Sequence, residues 1–585
     1  MFDQEKSLVE LKIKTYLQSE GIDDCNLEFR QIPFSGEWGL AVPLFPLAAA
    51  EARLGKKISV PQRAQELAEG IQAYLGDDLG GFSHVEAVKG YLNLFFSTAT
   101  YAQRVIDTVL EQGADYGRHP GRDKTVMVEY SQPNTHKAFH VGHLRNVILG
   151  GSVCRILEGA GYEVIRANYL GDIGLHVIKW MWNYMKNHAG ETPDEDRTHW
   201  MNAIYAEADQ LFQDPENEAE VRALYARWNQ RDPEIIALWQ KTRQWSLEGF
   251  DQIYTQLDES FDRLYFESEV EESGARLVDA LIQKGLARDE RPEGPVIIDL
   301  DEILGTEDEY RVLVVLRSDG SSLYSTKDLP LAIQKFAEYD LDQSIYVIDV
   351  RQSLYLKQIF KTLEVMGFEW ADKLHHLAYE LVNLPGNVTM ASREGTVVLF
   401  DDLVREATRR AKTIVEEKNP ELTEAIKHEI AEAVALGALK YTMLARDNAK
   451  VVTFDWDAAL DFNGQAAPYI QYAHVRAGSI LRKAGQSLPP QAVFPDELHK
   501  AEVDLIELMT RLPGDVLRAA EEYRPLIIAN LSFEIARVFN DFYNTCQVLN
   551  AAPDVRDYRL RLVAAAQQVI ATSLKFLGIK APSIM

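Results

Sequence analysis

The sequence predicts an α/β protein with a doubly wound parallel sheet at its centre, a small α+β domain before it and an all-α bundle after it. Three observations predict this order. A strand–loop–helix–strand unit opens at Thr125, and a charged, tryptophan-rich helical stretch separates it from later strand patterns. From about Asp401 to the end, amphipathic helical patterning dominates. At 585 residues the chain exceeds what one core accommodates, so several domains are expected.

Residues 1–120 read as the α+β domain. Helical patterning at Leu8–Leu17 and Gln62–Tyr74 brackets strand-like pieces, the last being Gly90–Ser97. The polar run Asp115–Lys124, with Gly117, Pro120 and Gly121, reads as a linker. Residues 121–400 form the central domain. Val126–Tyr130 is a short β-rich run, followed by a loop with Pro133 and Asn134, a helix from about His143 to Glu158, and a strand over Tyr162–Ala167. Such a unit opens a parallel sheet. Residues 180–290 read as a helical insertion. Strand patterns resume at Val312–Leu316, Ser344–Val350 and His375–Leu384, with a turn at Asp319–Gly320. Residues 401–585 form the helical third domain.

Composition narrows the class. Hydrophobic residues at 46% and charged residues at 26% are those of a globular protein. The opening MFDQEKSLVELKIKTYL lacks the apolar core of a signal peptide, and the apolar run Leu40–Ala50 is too short to span a bilayer. Cys25, Cys154 and Cys546 lie far apart with no CxxC pair, so neither a disulfide framework nor a zinc site is expected. A cytoplasmic protein with no membrane partner fits best. A net charge of −28 excludes a general nucleic-acid binder. A specific RNA partner would need basic residues gathered on one face, and Arg405, Arg409, Arg410 and Lys412 are one such cluster.

The sharpest motif is His140-Val-Gly-His143, between the first strand of the sheet and its helix. Ligands of such sheets bind beyond the strand C-termini, where a helix start offers free N–H groups and positive dipole to an anion. Two imidazoles there can hydrogen-bond phosphate oxygens, and Gly142 lets a flat base approach the backbone. A surface histidine pair or two metal ligands are the competing readings, the latter without a third ligand nearby.

HVGH resembles the first signature of the class I aminoacyl-tRNA synthetases, and VEYSQPNTHKAFHVGHLRN (128–146) resembles the arginyl branch. NYLGDIG (168–174), LYSTKDL (323–329), YVIDVRQSLYLKQIF (346–360), GALKY (437–441), PYIQYAHVR (468–476) and the tail LGIKAPSIM extend the resemblance over nearly the whole chain. It implies a Rossmann-like catalytic domain and an anticodon-binding helical domain. It also implies ATP, Mg²⁺, L-arginine and tRNA(Arg) as cofactors and partners, with a monomer as the default state. Glu129, Asn134, Tyr324, Asp328 and Gln352 match the family's arginine-binding positions. The chemistry agrees, since a guanidinium is best held by carboxylates and a flanking ring.

The second signature of the class matches Thr389–Gly395, where the usual lysines are missing. Met390 and Arg393 are its ATP-side positions, and Lys137 matches a lysine thought to compensate. His140, Gly142 and His143 complete the implied ATP site, with Lys137, His140 and His143 catalytic. For tRNA, the resemblance points to Asn93 and Phe96 in the N-terminal domain. Tyr472, His474, Arg476, Tyr523, Phe542 and Tyr543 are candidate stacking surfaces in the helical domain. Tyr355 stands where many relatives carry histidine, Asp349 where glycine is common, and Ser583 and Ile584 replace the usual residues before the final Met. A synthetase for Val, Ile or Leu would need a larger insertion, a cysteine enzyme zinc ligands, and a small nucleotidyltransferase no helical third. A catalytically inactive tRNA-binding paralogue is the alternative that the missing lysines favour.

Overall fold

The computed structural model describes all residues except 1, 23–25, 33–36, 55–58, 194–195, 385–387, 390–397 and 486. The chain folds into two compact units. One joins Met1–Tyr116 with Tyr472–Pro513 and Leu531–Ser573; the other joins Gly117–Gln471 with Gly514–Asn530 and Leu574–Met585. The long C-terminal helices Ala467–Ala484, Lys500–Glu521, Leu526–Thr545 and Pro553–Phe576 are each divided between the two.

The first unit carries a four-stranded antiparallel sheet in which Arg30–Gln31, Gly39–Pro43, Tyr91–Phe95 and His84–Val88 lie side by side. Leu92 and Leu94 alternate inward, as a half-buried strand requires, onto Val9, Ile13, Leu17, Leu67 and Ile71 of the helices Asp3–Ser19 and Val60–Leu75. In the same unit Tyr116 donates to the Met509 carbonyl at 3.0 Å, so the start of the expected linker is anchored.

The second unit is built on five parallel strands: β1 (Thr125–Glu129), β2 (Glu163–Leu170), β3 (Arg263–Phe266), β4 (Gln343–Asp349) and β5 (Leu374–Tyr379). Their order is β5-β4-β1-β2-β3. Chain direction across the sheet reverses between β1 and β4, which leaves a crevice beyond their C-terminal ends. Val126, Met127 and Val128 are buried, as expected of a central strand covered on both faces.

Two expectations change. β3 lies inside the stretch read as an insertion, so the helical excursion is the crossover from β2 to β3 and closes with Pro233–Leu257. Arg263–Phe266 is four residues long with no clean alternation, too little signal to stand out among helices. The crossover folds around its own core of Trp180, Trp182, Trp228 and Trp239. Its helices Pro215–Asn229 and Pro233–Leu257 begin with proline behind the capping carboxylates Asp214 and Asp232. Val312–Leu316 is a strand as read, but it pairs antiparallel with Val296–Asp299 in a separate three-stranded sheet. Beyond Asp401 the helical reading holds apart from the two-residue strand Val452–Thr453. No helix among the described residues is long and apolar enough to cross a membrane.

Candidate active site

A cavity of about 410 Å³ opens at the C-terminal ends of β1 and β4. Glu129, Asn134, His143, Tyr324, Asp328 and Gln352 all line it, brought together from five segments between residues 129 and 352. Met390 and Arg393 lie outside the described residues.

The helix Val141–Gly159 starts at this crevice with His140 as its N-cap. The His140 Nδ1 accepts from the Gly142 N–H at 3.1 Å, and the His143 Nδ1 accepts from the His140 N–H at 3.2 Å. The rings stack with centroids 3.9 Å apart. A neutral imidazole whose Nδ1 accepts carries its proton on Nε2. Burial, with the Lys137 charge adding to it, pushes His140 down to about 4, and burial holds His143 well below its ordinary value. Both histidines are therefore neutral Nε2–H donors at pH 7, suited to phosphate oxygens rather than to a metal. A Cβ on Gly142 would lie 2.9 Å from the His140 Cε1, so the glycine makes room for the capping ring as well as for any ligand. Lys137 is half-buried, its Nζ 5.2 Å from the centre of the Tyr205 ring, and burial lowers its pKa.

The loop from β1 to this helix is strained: Ser131, Gln132 and His136 have φ of 78°, 51° and 63°. Its anchors come from three elements. The Ser131 N–H donates to the Asn146 Oδ1 at 2.6 Å, and the Gln132 N–H to the Asn168 Oδ1 at 3.0 Å. The Ser131 and Tyr254 hydroxyls meet at 2.7 Å, and the His136 N–H donates to the Ser246 Oγ at 2.9 Å. Tyr254 and Ser246 belong to the helix Pro233–Leu257, so the helical crossover braces the loop that presents Asn134.

The acids are individually staffed. Glu129, at the end of β1, pairs with Lys335 and accepts from the Gln132 Nε2 at 2.8 Å. Glu267 pairs with Lys327 at 2.7 Å. Asp328 accepts from the Tyr355 hydroxyl at 2.6 Å and has no cation beside it among the described residues. Burial, reinforced by Glu129 and Glu267 and opposed by that hydrogen bond and by the Lys335 ammonium, pushes Asp328 up to about 7. Tyr355, a departure from the family pattern, thus positions the pocket's one carboxylate lacking a counter-ion. Asp349, the other departure, caps the turn Val350–Gln352 and holds Arg351 at 2.8 Å.

Sequence reading missed Glu267, Tyr169 and Lys335. Glu267 follows β3 directly, and recognising that strand would have marked it, because ligand groups gather at strand C-termini.

The candidate RNA surfaces fare unevenly. Phe96 is only 7% exposed, its ring 4.2 Å from Phe2 and 4.5 Å from Phe82, so it belongs to the core of its unit; Asn93 is half-buried on the opposite face of the sheet. Phe542 and His474 are buried as well, and the Tyr523 hydroxyl is tied to the Gln343 Oε1 at 2.7 Å. The structure does gather Tyr472, Arg476 and Tyr543. The Arg476 guanidinium lies between the two rings, 4.8 and 4.9 Å from their centres, and also reaches Asn540. Arg476 and Tyr543, with Lys483, line a cavity of about 290 Å³. The basic cluster of the helix Phe400–Lys418 is paired with acids: Arg405 with Asp196 and Asp402, Arg409 and Arg410 with Glu406, Lys412 with Glu416 and Glu424.

Comparison with known proteins places this fold. Residues 105–456 match the family "tRNA synthetases class I (R), catalytic domain", and residues 470–585 match the "DALR anticodon binding domain". The chain is 34% identical to an arginine–tRNA ligase of Clostridium perfringens over 98% of each chain, and 34% identical to one of Treponema pallidum over 95% and 94%. Among solved structures, the Thermus thermophilus arginyl-tRNA synthetase superposes with a TM-score of 0.77 at 29% identity, covering 99% of this chain and 100% of that one. The Plasmodium falciparum arginyl-tRNA synthetase, at 19% identity and a TM-score of 0.71, shares the fold. The chain belongs to the arginyl branch of the class I tRNA synthetases.

Proposed function

We propose that this chain activates L-arginine with ATP and transfers it to the 3′-terminal adenosine of tRNA(Arg). One observation carries the reading: His143, stacked on the helix-capping His140, lines the same cavity as Glu129, Asn134, Tyr324, Asp328 and Gln352. The arginine carboxylate attacks the α-phosphorus in line; the bond to the β-phosphate bridging oxygen breaks, giving arginyl-adenylate and pyrophosphate. His140 and His143 donate to phosphate oxygens as their charge shifts, and the Lys137 ammonium adds positive potential beside them. Mg²⁺ enters on the triphosphate as part of the substrate. The 2′-hydroxyl of the terminal adenosine then attacks the acyl carbon, AMP leaves, and an ester remains. Alignment and electrostatics lower the barrier, and no covalent enzyme intermediate is required.

At the arginine end, Asp328 supplies the ionic partner of the guanidinium, Tyr324 a flanking ring at the first turn of the helix Tyr324–Glu338, and Asn134 and Gln352 amide contacts. Asn93 and the Tyr472–Arg476–Tyr543 cluster contact tRNA, and Met390 and Arg393 belong to the ATP site. The protein acts as a cytoplasmic monomer.

Arginine-dependent ATP–pyrophosphate exchange, with and without tRNA(Arg), tests this. Exchange is expected, and Lys137→Ala is expected to slow it about 10²-fold or more. Absence of exchange under both conditions, with tRNA still bound, would establish the inactive paralogue instead. Undiminished exchange in Lys137→Ala would remove the role given to that lysine.

A further inference from the structure

We propose that Lys335, buried beneath the arginine pocket, is a positioning residue that cancels the charge of Glu129 and so matches the pocket to a single guanidinium. The inference rests on the arginine reading of the crevice and deepens it.

Lys335 is 0% exposed and Glu129 2%. The lysine lies on the helix Tyr324–Glu338, seven residues after Asp328, so two turns of one helix present Asp328 to the pocket and the ammonium to the far side of Glu129. The Tyr346 ring covers the ammonium at 4.3 Å and the Tyr265 ring at 5.8 Å. No second acid pairs with Lys335 among the described residues. Burial works against its charge, and the Glu129 carboxylate beside it holds the ammonium above its ordinary value.

The consequence is a charge count. Among the described residues, four acids line the crevice: Glu129, Glu267, Asp328 and Asp349. Lys335, Lys327 and Arg351 neutralise three of them, leaving Asp328, once ionised, as the one uncompensated charge. Without Lys335 the empty pocket would hold a second uncompensated carboxylate out of water, and taking up a proton is then the cheaper state. Charged or titratable groups facing Glu129 from the neighbouring elements are Lys335 and Asp328, Tyr346 on β4 and Tyr169 on β2, while Tyr265 on β3 faces the Lys335 ammonium and Glu267 faces Asp328. Lys335 is the only cation of that set. Gln132, bound to the other oxygen of Glu129, shows what the pairing achieves: both carboxylate oxygens are fixed before arginine arrives.

The test is arginine binding by titration calorimetry on the full chain between about pH 6 and 9, together with the KM and kcat of exchange. Lys335→Met is expected to bind arginine more weakly at neutral pH and to recover as pH rises, losing about tenfold for each unit by which the freed carboxylate titrates above the assay pH. The change falls on the KM for arginine, not on kcat or the KM for ATP, and Lys335→Arg restores the wild-type profile. In a Glu129→Gln background, Lys335→Met is expected to cost less than it does alone, leaving only the loss of its weaker pull on Asp328. A Lys335→Met profile parallel to wild type, or losses that add in the double variant, overturns the proposal. If Lys335→Met alone does not fold, the double variant decides: folding with an affinity close to that of Glu129→Gln supports the pairing, and failure to fold overturns it. A wild-type chain that binds no arginine refutes the arginine reading itself, whereas intact wild-type binding with parallel profiles refutes only the role of Lys335.

Discussion

Asp328 shows how much a single side chain's surroundings decide. Burial and two neighbouring carboxylates raise it to about 7, while the Tyr355 hydroxyl and the Lys335 ammonium pull the other way. A guanidinium favours the ionised form, so arginine affinity is expected to rise with pH through about 7 and to weaken up to tenfold per unit below it. Calorimetric Kd values that stay flat between about pH 6 and 8 would refute Asp328 as the ionic partner. The same shift has a stability sign. The unfolded chain loses this proton near its ordinary 3.8 and the folded chain near 7, so over that interval the native state holds more protons. The contribution of Asp328 to stability therefore falls as pH rises between those values. His140 runs opposite: held down to about 4, it favours the fold above its ordinary 6.5 and loses that contribution as pH falls toward 4. Removing the Tyr355 hydroxyl by Tyr355→Phe is expected to move the arginine-affinity midpoint to higher pH, and an unmoved midpoint would show that the hydroxyl does not tune Asp328.

At the scale of elements, the helix Pro233–Leu257 is the least obvious contributor to the site. It lies in a crossover that has its own tryptophan core, yet it sends Tyr254, Ser246 and Thr242 to the loop after β1. Positive φ at Ser131 and Gln132 costs on the order of 1–3 kcal/mol per residue, and such strain persists only where the surroundings over-determine it. Tyr254→Phe deletes the hydroxyl shared by Ser131 and Asn168 and leaves those buried groups short of a partner. A loss of about 1–3 kcal/mol in stability is expected. Exchange kcat/KM should fall with it, because Asn134 sits on the loop so released. Thermal unfolding and exchange kinetics on the same variant check both, and a destabilised variant with unchanged kinetics would separate the crossover from catalysis.

For the whole molecule the difficulty is charge. A chain of net −28 must hold a polyanion, and the basic residues of the helix Phe400–Lys418 are already engaged with acids. Arg476, beside Tyr472 and Tyr543, is the group proposed to offer stacking instead, a contribution that salt screens less than phosphate contacts. Tyr543, 44% exposed, is free of the core. Tyr543→Ala is expected to weaken tRNA binding by about 1–3 kcal/mol while leaving arginine-dependent steps intact. Filter binding across a salt series checks this; an unchanged tRNA affinity would move the RNA surface elsewhere.

Local patterning by itself determined the fold class, the first strand–helix unit and the placing of the histidine pair, because those depend on periodicity, breakers and the geometry of a helix start. Family resemblance carried in the motifs named five arginine-side residues, and all five line one cavity. Only the tertiary structure decided the rest. β3 is too short to announce itself, so Glu267 stayed hidden until the sheet was assembled. The state of each acid depends on which cation the fold sets behind it, and Lys335 reaches Glu129 across 206 positions of chain. Phe96 matched a tRNA-side position of the family only by resemblance, and packing buries it. Proton and charge balance follow from distance and burial, and neither is written in a linear string.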